Sequence, residues 1–247
     1  MDRYNIIRLD NTESTNTYAK SLKPENNDLT PTVVYTDCQT CGRGQRGNTW
    51  ESERGKNLTF SLVLYPSWLS AAHQFELSML VSIGIVNALR NHVVDHSRLK
   101  IKWPNDIYYD DKKVAGILIE NSLSGQSIER SIVGIGLNVN QKEFVSDAPN
   151  PVSLYNITGS ETSLDEILDN VVGNILDMVE QYEYDPEVDE LVYLYNNMLW
   201  RNDGREHLWR KEFEAKVDRV GADGRLYLTD KDGNEQSFLF KEISAVL

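Results

Sequence analysis

The sequence predicts an α+β protein: a mixed, mainly antiparallel sheet with helices packed on it, followed by a small C-terminal β-barrel. Three observations predict it. Between Leu99 and Val139, four apolar runs follow one another through tight turns, an arrangement that excludes a wholly parallel sheet. Between residues 143 and 200 the apolar positions recur at helical spacing. After Asp203-Gly204 the pattern changes to short strands separated by glycine-containing turns. The 247 residues suit one main domain and a small second one, expected at 1–200 and 201–247.

The elements follow in order. Thr32 to Asp37 and Asn57 to Tyr65 read as strands, the second with Leu58, Phe60, Leu62 and Leu64 alternating against Thr59, Ser61 and Val63. Ser70 is placed to cap a helix running to about Asn91 whose apolar positions nearly encircle it, as in a domain core. Strands are expected at Leu99–Trp103, Ile107–Tyr109, Val114–Glu120 and Ile128–Val139, with turns at Asp110-Asp111-Lys112 and Ser124-Gly125-Gln126. Ser163-Leu-Asp-Glu166 has the capping-box pattern ahead of Ile167, Val171, Ile175, Val179 and Tyr182. Asp185-Pro186 is expected to start a second helix with proline at its first position. Phe213–Val220, Arg225–Leu228 and Gln236–Phe240 complete the set as the strands of the barrel.

The net charge of −13 is unevenly distributed. Residues 143–200 contain 13 Asp or Glu and no Lys or Arg, whereas residues 1–142 carry 16 basic and 15 acidic side chains. Binding of duplex DNA over a broad basic face is disfavoured, while a local anion site in the first segment is not. The most apolar helix-like stretch, Leu77 to Leu89, is 13 residues long, short of the ~20 needed to span a bilayer. An acid at position 2 and no apolar run after it argue against a secretory signal, so a cytoplasmic protein with reduced cysteines is expected.

Three clusters carry chemistry. Cys41-Gly-Arg-Gly-Gln-Arg-Gly-Asn-Thr-Trp50 has glycines in G-x-G-x-x-G spacing with arginines between them, a loop able to bring backbone close to a phosphate or carboxylate. The residues after it lack helical periodicity and lead into a strand, which excludes a dinucleotide-binding βαβ unit. Absence of His-Arg-Asp and Asp-Phe-Gly likewise excludes a protein kinase. Lys102-Trp-Pro-Asn-Asp106 ends one strand, Lys113-Val-Ala-Gly116 begins the next, and Gly134-Ile-Gly136-Leu-Asn138-Val-Asn140 ends another. Cations, amides and glycines at the ends of strands in one sheet point to a pocket for an anionic, planar ligand.

These motifs, in this order and spacing, together with Glu13-Ser-Thr-Asn16 and Gln39, resemble biotin-protein ligases over about residues 5 to 142, and more weakly at Glu242-Ile-Ser244. The resemblance implies a fold like the class II synthetases with a C-terminal SH3-like barrel. It implies an ATP-dependent, AMP-forming ligase that joins biotin to the α-phosphate of ATP and then transfers it to a lysine of a biotin carboxyl carrier domain. Ser14, Thr15, Asn16, Gln39, Gly42, Arg43, Gly44, Gln45, Lys113 and Gly116 would then bind biotin. Arg46, Asn48, Trp50, Lys102, Asn105, Lys113 and Asn138 would bind ATP, and Lys113, Arg43 and Arg46 would be catalytic. Mg²⁺ would be held chiefly by the ATP phosphates, with no metal site of protein ligands.

Two departures stand out. Many members have Arg-Arg where this chain has Gln45-Arg46, and Arg where it has Asn48, so weaker retention of the adenylate is expected unless Arg54 and Lys56 compensate. The ligase motif at Ser14 begins almost at once, as in the monofunctional form without DNA binding. A monomer and a homodimer are both open. The competing readings are a lipoate-protein ligase, whose Arg-Arg-x-x-Gly-Gly-Gly loop is absent, and a non-catalytic biotin-binding regulator. Cys38-x-x-Cys41 with His92 and His96 makes a poor zinc pattern across 50 intervening residues.

Overall fold

The computed structural model describes residues 3–24, 28–145, 149–210 and 213–246, with Arg46 described by its backbone alone. Among these residues, seven strands form the larger sheet: β1 (Asn5–Leu9), β2 (Thr32–Thr36), β3 (Leu58–Leu64), β4 (Leu99–Lys102), β5 (Asp106–Tyr109), β6 (Lys112–Ser124) and β7 (Ser127–Leu137). Their spatial order is β1-β2-β3-β7-β6-β5-β4. Only the β1–β2 pair is parallel; the others described are antiparallel, as the short turns require. Sequence reasoning placed β2 to β7 to within a few residues. It missed β1, and it missed α1 (Thr15–Ser21), whose seven residues are too few for a periodic signal.

The two faces of the sheet are covered differently, and this makes the site. Leu58, Phe60, Leu62 and Leu64 of β3, with Val133, Ile135 and Leu137 of β7, join the main core. Over them lies α2 (Gln74–Leu89), which packs against α4 (Leu164–Tyr184) and α5 (Val188–Asn197). Twelve of the sixteen α2 residues are buried, in keeping with an apolar surface nearly all round. On the opposite face α1 covers only one end, where Ala19 packs on Val34, Val63 and Ile132. The rest of that face carries small residues: Thr59 and Ser61 of β3, Gly134 and Gly136 of β7, and Gly116 of β6.

Capping differs from expectation in detail. Ser70 accepts from the Ala72 amide and so caps a 3₁₀ turn, Ala71–His73, that feeds into α2. Ser163 caps α4 through the Glu166 amide, and a reciprocal capping box closes at Ser153 and Asn156 ahead of α3 (Leu154–Thr158). Helix α5 starts at Val188, after Pro186 and not on it, with Glu187 at the N-cap. The acidic segment is amphipathic: Ile167, Val171, Ile175 and Val179 are buried while its carboxylates face outward.

The C-terminal strands β8 (His207–Trp209), β9 (Phe213–Val220), β10 (Leu226–Asp230) and β11 (Glu235–Phe238) form an antiparallel sheet in the order β11-β10-β9-β8. The chain then returns along β8, where the Arg210 amide donates to Ser244 and the Val246 amide to Leu208. This sheet shares the main core. Asn196 of α5 exchanges two hydrogen bonds with Val220, and Trp103 Nε1 donates to the Gly224 carbonyl.

Candidate active site

The open face of the sheet forms the floor of a cleft of about 1170 Å³. Over it folds the glycine loop, closed on itself as a small hairpin: the Gly44 amide donates to Asn48, the Trp50 amide donates to Gly42, and Gln45–Gly47 makes one 3₁₀ turn. No α-helix opens there, in agreement with rejection of a dinucleotide fold. The hairpin lays the Trp50 indole flat against two paired glycines. A Cβ on Gly136 would stand 2.2 Å from Trp50 Cε2, and one on Gly116, its cross-strand partner, 3.2 Å from Cζ3. Glycine is required at these positions by close approach. Trp50 Nε1 is buried with no partner among the described residues.

One end of the floor is a network of neutral side chains. The Thr15 amide donates to Gln39 Oε1 (2.8 Å), Ser61 Oγ donates to Asn16 Oδ1 (2.6 Å), and Ser61 Oγ also lies 2.8 Å from Thr15 Oγ1. Asn16 Oδ1 would be 2.3 Å from a Cβ on Gly134, so a third glycine admits this network. Asn16 Nδ2 donates to Glu120 (2.9 Å), a carboxylate that also pairs with Lys20 (2.6 Å) and Arg43 (3.2 Å). Burial tends to raise the Glu120 pKa. Hydrogen bonds from Lys20 and Asn16 and the charge of Arg43 outweigh it and hold the group below its ordinary value.

The other end is charged. Lys113 Nζ pairs with Asp106 Oδ1 at 2.7 Å and stands 5.7 Å from the centre of the Trp50 ring. Lys102 Nζ lies 4.0 Å from Asp106 and 5.1 Å from the Tyr108 ring centre. Burial lowers the Lys102 pKa; Asp106 opposes that shift, and Lys113 and Arg201 add to it. With Arg43 and Arg210, these lysines give the cleft four lining cations among the described side chains, against Asp106 and Glu51. Such a cleft is suited to anions.

Residues 9–138, more than half of the chain, match the biotin/lipoate A/B protein ligase family. The chain belongs to this family. Among its relatives, the biotin–[acetyl-CoA-carboxylase] ligase of Paracoccus denitrificans is 37% identical over 165 residues, covering 64% of this chain and 66% of that protein. The bifunctional ligase/repressor BirA of Bacillus spizizenii is 34% identical over 137 residues, covering 56% of this chain and 41% of that protein. The chain thus spans between about two fifths and two thirds of the length of these relatives. Among solved structures, a biotin protein ligase from Aquifex aeolicus in complex with biotin and ATP superposes with a TM-score of 0.79 at 27% identity, covering 97% of each chain.

The family motifs converge as expected. Ser14, Thr15, Asn16, Gln39, Arg43, Gly44, Gln45, Asn48, Trp50, Lys102, Asn105, Lys113, Gly116 and Asn138 all line the cleft. Gly42 lies at the neck of the hairpin, where a Cβ would meet the Trp50 carbonyl at 2.5 Å. The Arg46 side chain falls outside the described residues. Asn105 and Asn138 are bound to the protein itself. Asn105 Nδ2 donates to the Ile117 carbonyl (2.7 Å), and Asn138, 2% exposed, donates to the carbonyls of Lys113 and Val152. Asn138 therefore ties the start of β6 to the segment after Pro151, leaving its buried Oδ1 without a partner among the described residues. Arg54 and Lys56, the alternative source of positive charge for the loop, are engaged elsewhere. Arg54 donates to the Asp10 carbonyl and Lys56 pairs with Glu161, outside the cleft.

Sequence reasoning missed several members. Asp106 lay inside a quoted motif, but its pairing with Lys113 needs the β5–β6 register. Glu120 gave no signal beyond its place on a strand. Arg210, Phe240 and the segment Ser244–Val246 form a far wall supplied by the C-terminal sheet. Only the weak match at Glu242-Ile-Ser244 pointed there. Cys38 and Cys41 are free, and among the described residues no three His, Cys, Asp or Glu side chains gather as metal ligands.

Proposed function

We propose that this protein is an ATP-dependent, AMP-forming ligase that activates biotin to biotinyl-5′-AMP and transfers it to a lysine of a biotin carboxyl carrier domain. The observation that carries the reading is the Lys113–Asp106 pair, set against a Trp50-covered glycine floor and joined there to a neutral polar network. A planar, urea-containing ligand with a carboxylate tail needs both ends of such a site. The volume, about 1170 Å³, suits two ligands side by side.

The neutral network of Ser14, Thr15, Asn16 and Gln39, with the backbone of Gly42 to Gln45, holds the ureido ring, and Gly116 lets Lys113 and the Trp50 indole close down over the sheet beside it. Lys113 bridges the biotin carboxylate and the α-phosphate, two anions that otherwise repel, while Asp106 fixes its position. The biotin carboxylate oxygen attacks the α-phosphorus and pyrophosphate leaves with the electron pair of the broken P–O bond. Arg43, Arg46 and Lys102 neutralise phosphate charge, Trp50 and Asn48 cover the nucleotide, and Asn105 and Asn138 hold the strand ends that frame it. Mg²⁺ would be held chiefly by the ATP phosphates, where it would offset their charge. Glu120 and Glu51 already accept from protein donors and Asp106 is ion-paired with Lys113, a set that fits a metal carried by the nucleotide. Residues 1–200 carry the chemistry in this reading, and 201–247 close the nucleotide end.

The test is release of pyrophosphate on adding biotin and ATP, followed by labelling of a carboxylase carrier domain with biotin or with lipoate. Biotin-dependent release and labelling are expected. Preferential lipoate labelling, or binding of biotin without pyrophosphate, would refute the reading.

A further inference from the structure

Glu120 stands on the same face of β6 as Gly116, further along the strand at the neutral end of the cleft. Its carboxylate collects three donors: Asn16 Nδ2 (2.9 Å) and Arg43 Nη2 (3.2 Å) on Oε2, and Lys20 Nζ (2.6 Å) on Oε1. Burial works against the charge, but these donors outweigh it and hold the pKa below its ordinary value, so at neutral pH the group can only accept.

From that acceptor the direction of the whole network follows. The Asn16 amide lies between Glu120 and the Leu118 carbonyl (3.3 Å), both acceptors, so it turns Nδ2 to them and spends both of its protons there. Asn16 Oδ1 then receives, and the one proton of Ser61 Oγ goes to it (2.6 Å). Thr15 Oγ1 also has a single proton. It lies 2.8 Å from Ser61 Oγ and 3.2 Å from Gln39 Oε1, and either partner takes that proton inside the protein. What Thr15 keeps for a ligand is a lone pair. Gln39 is fixed the other way round. Its Oε1 faces the Thr15 amide, which only donates (2.8 Å), so Nε2 is the end left over, beside Gly42 and with no partner among the described residues. Thr15 and Gln39 both line the cleft, Gln39 half-buried and Thr15 at its floor with 3% of its surface exposed. A cyclic urea carries the complement: N–H groups that only donate and a carbonyl that only accepts.

We propose that Glu120 is a positioning residue that holds these hydrogen bonds in one direction and so makes the neutral end of the cleft read the donors of a ureido ring, a role that rests on the biotin reading above. Thr15 Oγ1 accepts a ring N–H, and Gln39 Nε2 donates to the ring carbonyl. A dithiolane ring offers neither group, so the same network disfavours lipoate. Because one carboxylate oxygen holds both Asn16 and Arg43, the direction of the network and the position of the glycine hairpin are set at the same atom.

The experiment measures equilibrium binding to the whole chain by calorimetry, with biotin and with its two cyclic carbamate analogues, in each of which one ureido N–H is replaced by a ring oxygen of similar size. The wild-type protein is expected to bind at least one carbamate about 100-fold or more weakly than biotin, because lone pair would face lone pair. Glu120→Gln supplies a side chain that donates as well as accepts, which frees Asn16 to turn and the hydroxyls to reverse. Ser61→Ala cuts the chain between Asn16 and Thr15 and leaves every charge in place. In both, the ratio should fall to about tenfold or below, chiefly through weaker binding of biotin. Lys20→Met removes the ion pair on the other carboxylate oxygen and should leave the ratio within about twofold of wild type. Thermal melts check that each variant is folded. A wild-type ratio within about threefold, an unchanged ratio in Glu120→Gln or in Ser61→Ala, or an equal fall in Lys20→Met would each overturn the proposal. Failure of the ligase reading is distinguishable: binding of biotin without pyrophosphate release sinks that reading alone, whereas absence of biotin binding in the wild type sinks both.

Discussion

Replacement of Gly136 by alanine tests how the glycine floor supports the site. The added Cβ would lie 2.2 Å from Trp50 Cε2, 2.5 Å from Cζ2 and 2.7 Å from Cδ2. Taking ~3.5 Å as a carbon–carbon contact, the indole must retreat by ~1.3 Å or leave the sheet. Gly136 is bonded into β7 between β3 and β6, so the backbone cannot give way cheaply. Loss of about 80 Å² of ring contact is worth about 2 kcal/mol at 25 cal/mol per Å², or about a 30-fold fall in kcat/KM for ATP. The assay is biotin-dependent pyrophosphate release across an ATP titration, run in parallel on Trp50→Ala and on the double variant. If the glycine acts through the indole, Gly136→Ala costs little once Trp50 is absent. A penalty of the same size in both backgrounds, or none in either, would refute the reasoning.

Other outcomes follow from the charged residues. Lys113→Met removes a cation about 4 Å from the reacting phosphate, worth up to about 4 kcal/mol at an effective dielectric of 20, so pyrophosphate release should fall about 100- to 1000-fold. It also strands Asp106, and adding Asp106→Asn should restore the melting temperature without restoring activity. The Glu120 pKa is held below its ordinary value of 4.5 in the folded chain. Its ion pairs therefore stabilise the fold above that value, and the contribution is lost as pH falls through the folded pKa. Melting temperature followed below pH 4.5 should drop less steeply in Glu120→Gln than in wild type, and parallel curves would count against the assignment. Gln45→Arg should slow escape of biotinyl-adenylate about fivefold, from ~1 kcal/mol of partly screened charge attraction, measured by filtration after a single turnover. Unchanged escape would mean that the wild-type loop lacks nothing at this position.

The same residues show where sequence reasoning stops. Strands β2 to β7 and helices α2, α4 and α5 were legible because each repeats its apolar residues at the period of its own backbone, a property local to the chain. The family motifs likewise identified most of the polar side chains on the floor and loop of the main cleft. Their partners were not legible. Asp106 and Lys113 are joined by the register of β5 on β6, Trp50 and Gly136 by the fold of a hairpin over a strand 86 positions away, and Lys20 and Arg43 reach Glu120 because α1 packs on β2, β3 and β7 beside β6 and the hairpin folds over the same face. The wall from Arg210 and Ser244–Val246 reaches the cleft because the C-terminal sheet packs into the same core as the helices. By itself the sequence determined the longer elements, the family and the residue types a biotin- and nucleotide-binding site would need. Only the tertiary structure decided which of them meet, because hydrogen bonds, ion pairs and steric contact act over a few ångströms of space, whatever the separation along the chain.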